Sequence, residues 1–259
     1  MLKEISRFGD STIFEGMTSI RSIIKGIDSG INSRRIQKIL FDKSKLKNIG
    51  KEVGYLRAVS EKYGFELIES TAEEIDKMTV GSSHGGLIAI AGERALPCFT
   101  SENDIPKDGF YCLIQGIEDP YNFGYSIRSL YACGCDGIIL GERNWMSAAG
   151  VVSRSSAGAS EMMNILRGAD DIKTVELFKS AGYTVVCADE RTDNVLGKCE
   201  LKKPILLLVG GEKRGISKAM LEKSDMLIRI NYAREFNASL SAASATTMFA
   251  YEIMRQSSK

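Results

Sequence analysis

The sequence predicts an α/β protein in which a small N-terminal domain precedes a larger domain built on a parallel sheet. Strand-like and helix-like segments alternate along both halves of the 259-residue chain, as they do in α/β folds. Residues 205–209 are apolar at every position, which is typical of a parallel strand covered on both faces. Residues 96–108 hold two of the four prolines and predict a linker, so we expect domains at residues 1–95 and 109–259.

Helical spacing, apolar runs and turn residues define the elements of the first domain. Gly64 follows an amphipathic segment and predicts its C-terminal stop. Thr71, with Glu74 three residues later, predicts a capping box at the start of a short helix. The predicted helices are residues 18–25, 53–63 and 71–78, and the predicted strands are residues 36–41, 65–68 and 87–91.

The same patterns alternate more clearly in the second domain. The predicted strands are residues 110–114, 137–140, 183–188, 205–209 and 226–230, and the predicted helices are residues 126–133, 170–180, 217–223 and 240–255. In a parallel sheet connected in this way, ligands bind beyond the carboxyl ends of the strands. We therefore expect the functional site at that edge.

Composition excludes several classes of protein. No apolar run reaches the roughly 18 residues that a membrane helix needs, and the N-terminus lacks the pattern of a signal peptide. The six cysteines form no C-x-x-C pair and His84 is the only histidine, which disfavours a metal site. These features predict a cytoplasmic protein with no membrane partner and a reduced set of thiols.

Positive charge is concentrated in one segment although the formal net charge is only +1. Between residues 34 and 51 there are seven basic residues and one acid, Asp42. Such a cluster can contact RNA phosphates, or it can be a solvated basic face. The candidate RNA-binding residues are Arg34, Arg35, Lys38, Lys43, Lys45 and Lys47.

Three short segments of the second domain are each expected between a strand and a helix. They are Asp119-Pro120-Tyr121-Asn122-Phe123-Gly124 with Arg128 behind it, residues 209–215 (V-G-G-E-K-R-G), and residues 237–243 (N-A-S-L-S-A-A). Turns rich in Gly, Asn and Ser let a ligand approach the backbone closely. We expect Asn122 in the first turn and Arg128 at the start of the next helix, with Ile127, Leu130 and Tyr131 facing the sheet.

The second segment differs from a phosphate-binding loop. Neither G-x-G-x-x-G nor G-x-x-x-x-G-K-[ST] occurs, and Glu212 within the turn would repel a phosphate. A neutral or cationic ligand fits better. Simpler roles remain open: Glu212 as an acid at a helix N-terminus, Arg128 as a surface charge, and Ser239 and Ser241 as helix caps.

In this order and spacing, the three segments resemble the SpoU/TrmH-type RNA 2′-O-ribose methyltransferases of the SPOUT superfamily. The first is similar to the family motif D-P-x-N-x-G with its downstream Arg, the second to G-x-E-x-x-G, and the third to S-L-N-x-S. Residues 155–159 (S-S-A-G-A) resemble a small-residue segment between the first two motifs. Residues 14–17 and 83–87 resemble the opening and closing signatures of a ribosomal-protein-like RNA-binding domain.

The resemblance implies a knotted (trefoil) C-terminal domain that binds S-adenosylmethionine, a homodimer, and rRNA or tRNA as the substrate. It implies that Asn122, Arg128, Glu212 and Ser239 are active-site positions, and that the backbones of Gly210, Ile230 and Leu240 hold the cofactor. The N-terminal domain is implied to select the RNA. Neither the nucleotide nor a housekeeping or antibiotic-resistance role follows from the sequence.

The third segment departs from the family pattern. Ser241 stands where the family has Asn, and Ala243 stands where it has a second Ser. Two alternatives therefore stay open beside ribose methylation. One is a base methyltransferase of the same superfamily, and the other is an RNA-binding protein that has lost its chemistry.

Overall fold

The computed structural model describes residues 12–80, 84–141, 145–168, 170–211 and 215–257. The chain divides into two compact units: unit 1 is Met1–Ala95 with Trp145–Met162, and unit 2 is Leu96–Asn144 with Met163–Lys259. Within the described ranges, no helix has both the length and the hydropathy needed to cross a membrane. The same ranges contain no cluster of three or more side chains that could hold a metal ion.

Unit 1 contains a four-stranded sheet in the order β1-β4-β2-β3. The strands are β1 (Ile13–Glu15), β2 (Ile36–Asp42), β3 (Glu66–Ser70) and β4 (Leu87–Ala91), and the helices are α1 (Gly16–Asp28), α2 (Leu46–Tyr63) and α3 (Ala72–Met78). Only β2 and β3 are parallel. Both predicted boundaries are confirmed: α2 ends at Gly64 in the left-handed conformation, and Thr71 forms a capping box with Glu74.

Unit 2 is a six-stranded sheet in the order β10-β8-β9-β5-β6-β7, and every pairing in it is parallel. The strands are β5 (Phe110–Gln115), β6 (Gly137–Leu140), β7 (Ile165–Arg167), β8 (Thr184–Ala188), β9 (Ile205–Gly210) and β10 (Met226–Ile228). The helices are α4 (Pro120–Ala132), α7 (Asp171–Ser180), α8 (Lys218–Lys223) and α9 (Ala242–Ser257). The predicted α/β class and parallel sheet are confirmed, whereas the knot stays a prediction.

The segment between β6 and β7 packs in unit 1, which differs from the predicted domain boundary. It carries α5 (Ala149–Ser155) and α6 (Ala159–Met162), two helices that the sequence did not reveal. A Cβ on Gly26 of α1 would overlap the Glu161 carbonyl oxygen, and one on Gly158 would overlap the Ser22 hydroxyl. Small residues thus let α1 and this segment approach closely, so the S-A-G-A stretch is part of the packing of unit 1.

The predicted linker, residues 96–108, packs in unit 2 rather than spanning two domains. The Phe99 ring lies 6.0 Å from the Tyr111 ring and 5.9 Å from the Phe178 ring. Ile105 is buried in the same core cluster. The prolines misled the prediction because they mark irregular backbone without indicating whether the neighbouring apolar side chains are buried.

The sole histidine shapes a turn of unit 1. His84 is buried, its Nδ1 accepts the N–H of Gly86, and its Nε2 lies 2.8 Å from Asp76 Oδ1. With Nδ1 as an acceptor, Nε2 carries the proton and donates to Asp76.

Candidate functional site

The carboxyl ends of β5 and β9 lie side by side, and the turns that follow them are packed backbone against backbone. Gln115 pairs with Gly210, and the Gly211 N–H donates to the Gln115 carbonyl at 2.9 Å. A Cβ on Gly211 would overlap the Gly116 carbonyl oxygen, and one on Gly210 would lie 2.6 Å from the Ile216 nitrogen. The surrounding main chain therefore requires glycine at both positions.

The end of β9 extends past its other neighbour, β8. The β8–β9 register stops at Cys187 and Leu208, whereas the β5–β9 register continues to Gly210. The main chain at Gly210 therefore has no ladder partner on the β8 side. Burial raises the pKa of the Cys187 thiol to about 12, so this neighbouring thiol stays protonated and is not a nucleophile of the site.

The Gln115 side chain also joins this region, and our sequence reasoning did not single it out. Its Nε2 donates to Asp171 Oδ2 at 2.6 Å, and its Oε1 accepts the Ser217 N–H at 3.3 Å. Asp171 is the first residue of α7, and Ser217 precedes α8. A polar residue at the end of an otherwise apolar strand is the signal that could have revealed it.

Helix α4 starts earlier than predicted and includes Asn122. The Asp119 carboxylate accepts the N–H groups of Tyr121 and Asn122, both at 3.3 Å, and Pro120 takes the first helical position. Proline is favoured there because its missing N–H costs the helix nothing. The expectation of Asn122 in a turn before the helix is therefore wrong: it lies in the first helical turn.

Arg128 is exposed on the outer face of α4. Ile127 and Leu130 are fully buried, as predicted, but Tyr131 is 41% exposed and does not face the sheet. Tyr125, Arg128 and Tyr131 follow each other at intervals of three residues and so form one exposed stripe. Arg128 forms no ion pair or hydrogen bond with any residue in the described ranges, which leaves its donors available to a ligand.

The turn before α9 is exposed and is held by fewer contacts. Ser239 is exposed, and the N–H of the half-buried Leu240 donates to the Tyr232 hydroxyl at 3.2 Å. Ser241 caps α9, since its Oγ accepts the Ser244 N–H at 3.1 Å. The capping role that the sequence left open is thus confirmed for Ser241.

Two contacts lie next to the three segments. The backbone that leads from β5 to the first segment meets the second segment where Gly116 lies against Gly211. The first and third open helices that pack together, with Ser129 Oγ and Thr247 Oγ1 2.6 Å apart. Ile230 follows β10, an edge strand that β8 separates from β9. Glu212 lies outside the described residues.

One candidate RNA-binding residue is corrected by the structure. Arg34 is buried, its Nε lies 2.8 Å from Glu161 Oε2, and its Nη1 donates to the Gly92 carbonyl at 2.7 Å. Its guanidinium also lies 4.8 Å from the centre of the Phe14 ring. Arg34 therefore stabilises unit 1 and is not available to RNA. Its alternation with the buried Ile36 could have indicated this.

The remaining basic candidates lie on the surface of unit 1. Arg35, Lys38, Lys43 and Lys47 are exposed, and Lys45 is half-buried. The Lys45 stem covers Gly86, at which a Cβ would lie 2.9 Å from Lys45 Cδ. These five residues remain a predicted RNA contact.

Comparison with known proteins finds methyltransferases of the kind that the three segments resemble, and the matching family model includes the residues of those segments. Residues 109–251 match the model of the SpoU rRNA Methylase family. The chain is 24% identical over 228 residues to YacO of Bacillus subtilis (strain 168), whose name refers to the TrmH family of tRNA/rRNA methyltransferases, covering 87% of this chain and 90% of that protein. It is 26% identical over 200 residues to the 23S rRNA (guanosine-2′-O-)-methyltransferase RlmB of Shewanella oneidensis, covering 75% and 80%.

The fold is shared with solved structures. An AdoMet-bound rRNA methyltransferase from Sinorhizobium meliloti superposes with a TM-score of 0.76 at 22% identity, covering 94% of this chain and 87% of that one. The shared fold extends over both units, whereas the family model matches within the C-terminal part. Since the family model covers more than half of the sequence, this chain belongs to the SpoU rRNA Methylase family.

Proposed function

We propose that this protein transfers a methyl group from S-adenosylmethionine to a ribose 2′-hydroxyl of rRNA or tRNA. The family match over residues 109–251 carries the proposal, because it includes the glycine turn after β9 and the helix with Asn122 and Arg128. The name of the Shewanella relative specifies a guanosine-2′-O-methyltransferase, and the Sinorhizobium structure contains AdoMet. Both are in keeping with such a reaction.

The residues at this edge of the sheet suit S-adenosylmethionine. Gly210 offers main chain without a ladder partner on one side, and Ile230 and Leu240 add half-buried apolar side chains. Backbone groups and apolar walls suit an uncharged nucleoside. When bound, the cofactor supplies an electrophilic methyl group on a positively charged sulfur.

The residues of the chain have to place the ribose and remove a proton. The bound cofactor would give its methyl group to the 2′-oxygen as the sulfur–methyl bond breaks, which would leave a neutral thioether, and the hydroxyl proton would pass to solvent water. Such a displacement depends strongly on alignment, so positioning supplies much of the rate. Asn122, Glu212 and Ser239 are the proposed active-site positions around this hydroxyl.

Arg128 is proposed to orient the RNA phosphate next to the reacting ribose. Its exposed guanidinium is not committed to another described residue, and an arginine fork matches two phosphate oxygens at once. Arginine keeps its proton in proteins, so it is poorly suited to accept the hydroxyl proton. Its contribution is therefore geometric and electrostatic.

Unit 1 is proposed to select the RNA through Arg35, Lys38, Lys43, Lys45 and Lys47. Each phosphate contact releases counterions, so binding should weaken steeply as salt rises. Replacing Lys43, Lys45 and Lys47 with Ala should reduce both the RNA affinity and the slope of log affinity against log salt. An unchanged slope would remove this segment from the interface.

The outer faces of α4 and α9 are proposed as a homodimer contact. Tyr125 and Tyr131 on α4, and Met248 and Tyr251 on α9, are large apolar side chains with at least 41% of their surface exposed. The two helices pack on each other, so these side chains belong to one patch, and such patches favour association. Because Arg128 lies in the α4 stripe, a partner subunit would lie next to it. Light scattering of the purified protein should give twice the 28.4 kDa chain mass.

A cytoplasmic location is proposed on chemical grounds. An rRNA or tRNA substrate is made and used there, and all six cysteines are free thiols. Free thiols persist in a reducing compartment.

Alkaline digestion of the methylated product tests the reaction directly. Unmodified rRNA and tRNA transcripts are incubated with the protein and cofactor labelled in its methyl group, and the purified RNA is hydrolysed with alkali. A 2′-O-methyl group blocks cleavage at its own nucleotide, so the label should appear in an alkali-resistant dinucleotide. Sequencing RNA from cells with and without the gene then locates the nucleotide.

The other two functions give different results in the same experiment. Label in mononucleotides indicates a base methyltransferase. No label, together with no calorimetric binding of the cofactor, indicates an RNA-binding protein without chemistry. The Ser241 and Ala243 substitutions favour this last function, whereas Asn122 and Arg128 argue against it.

A further inference from the structure

We infer that Gln115 is a positioning residue for methyl transfer, which holds both ends of the turn after β9 in a geometry that binds the cofactor. The inference rests on the proposed function, since it deepens the role of that turn. The Gln115 carbonyl accepts the Gly211 N–H at the start of the turn, at 2.9 Å. Its side-chain Oε1 accepts the Ser217 N–H beyond the end of the turn, at 3.3 Å.

The third bond of Gln115 fixes its side chain. Nε2 donates to the Asp171 carboxylate at 2.6 Å, and this carboxylate belongs to the first turn of α7. A hydrogen bond to a charged group is stronger than one between neutral groups. It also settles which amide atom faces Ser217, because only the nitrogen of Gln115 can donate to a carboxylate. One side chain thus links the end of β5, the start of α7 and the segment before α8.

The contacts at the described ends of the turn after β9 show why the position of this turn matters. The Gly215 N–H donates to the Gly211 carbonyl at 2.9 Å, and Gly210 lies against Gly215 and Ile216. This turn begins at the main chain proposed to bind the cofactor. Since Gly211 and Gly116 touch without room for a Cβ, a shift of the turn would be transmitted to both strand ends.

Three variants separate positioning from general stability. Gln115→Glu keeps an acceptor for Ser217 but places a carboxylate against Asp171. The double variant Q115E/D171N removes the second charge, so that an amide and a carboxylate face each other again with their places exchanged. Gln115→Leu removes both side-chain bonds while leaving the main-chain bond to Gly211.

Another glutamine in unit 2 provides a matched control. Gln256 Oε1 accepts the Leu201 N–H at 2.8 Å, and its Nε2 donates to the Glu252 carboxylate at 2.6 Å. It thus makes the same two kinds of bond as Gln115, but near the C-terminal end of α9. Gln256→Leu should lower the melting temperature while leaving cofactor affinity and turnover within about twofold of wild type.

Three quantities are measured for each full-length variant: the cofactor dissociation constant by calorimetry, kcat with RNA, and the melting temperature. Gln115→Leu and Gln115→Glu should weaken cofactor binding by about tenfold to a hundredfold, in line with lost hydrogen bonds to a charged group. The double variant should recover binding and kcat to within about threefold of wild type. Unchanged binding and kcat in both single variants, or a folded double variant without recovery, would overturn the inference.

Hydrogen exchange of the wild type keeps the inference testable if a variant does not fold. Without cofactor, the amides of Gly211 and Ser217 should exchange slowly, because Gln115 accepts from both. Exchange of these two amides at the rates of an unstructured loop would also overturn the inference. Failure of the proposed function looks different: the wild type itself would then bind no cofactor and methylate no RNA.

Discussion

The turn after β9 and the turn before α9 belong to one proposed site but are built in opposite ways. In the first, Gly211 lies against Gly116, and Gln115 bonds to Gly211 and Ser217. In the second, residues 231–239 are all exposed, and the contacts at its end are the Leu240–Tyr232 bond and the Ser241 cap. The fold thus fixes the described ends of the first turn, whereas the second turn is exposed and is held by fewer contacts.

A similar difference separates two arginines. Arg34 is buried against Glu161 and is part of the fold, while Arg128 is exposed and has no partner among the described residues. Charge alone does not distinguish a structural arginine from a functional one. The distinction depends on whether the fold already satisfies the donors.

The largest effect is expected at the fixed turn. Gly211→Ala places a methyl group onto the Gly116 carbonyl, so the two strand ends must separate, and we expect cofactor affinity to fall more than about a hundredfold. Calorimetry measures this loss. Gly54→Ala is the control, since a Cβ there meets no atom within 4 Å on α2, and alanine should raise stability by roughly 0.5–1 kcal/mol. Normal cofactor binding by Gly211→Ala would show that the turn is not fixed.

The buried arginine should matter for stability and not for RNA binding. Arg34→Ala removes the ion-pair partner of the buried Glu161, which typically costs about 3–5 kcal/mol of unfolding free energy. Urea unfolding measures the loss. The exposed neighbour gives the control, because Arg35→Ala should change stability by less than about 0.5 kcal/mol. Equal effects of the two substitutions would contradict the assignment of Arg34 to the fold.

Arg128, the exposed arginine of α4, should matter for turnover and not for stability. Arg128→Lys keeps the charge but loses the planar fork, and we expect kcat to fall by roughly 10²-fold with little change in melting temperature. Steady-state methylation assays measure this. Arg255→Lys on α9 is the control, and it should retain wild-type turnover. Near-wild-type kcat in Arg128→Lys would remove the proposed phosphate-orienting role.

The smallest effect is expected at the open turn. Ser241→Asn introduces the residue of the family motif and keeps a good helix cap, so stability should change by only a few tenths of a kcal/mol. Ser241→Ala removes the cap and should cost about 1 kcal/mol. Thermal unfolding of both variants makes the comparison. A large loss of stability in Ser241→Asn would show that the turn before α9 is more constrained than its exposure suggests.

The sequence predicted the helix boundaries that depend only on neighbouring residues. Gly64 and Thr71 marked helix boundaries correctly because their effects act within one turn. The Arg34–Glu161 pair was not predictable, since its partners are 127 residues apart and neither motif nor periodicity links them. The start of α4 was placed too late because the Asp119 cap and Pro120 were interpreted as parts of a turn.

The residues of the candidate site also fall into those that the sequence predicts and those that only the fold reveals. The motif residues could be named from the sequence, and the structure places Gly210 at the end of β9 and Asn122 in the first turn of α4. Gln115 could not be ranked as a positioning residue, because its side-chain partners lie 56 and 102 residues away along the chain. Sequence motifs indicate which residues can meet a ligand, but the residues that hold them in place become visible only in the fold.

Calorimetric titration of S-adenosylmethionine into the wild-type protein without RNA tests the central claim most directly. If the turn after β9 is already fixed by the fold, the cofactor should bind saturably at one site per chain in the absence of RNA. Binding that is absent, or that appears only after RNA is added, would contradict a cofactor site fixed in advance by Gly210, Gly211 and Gln115.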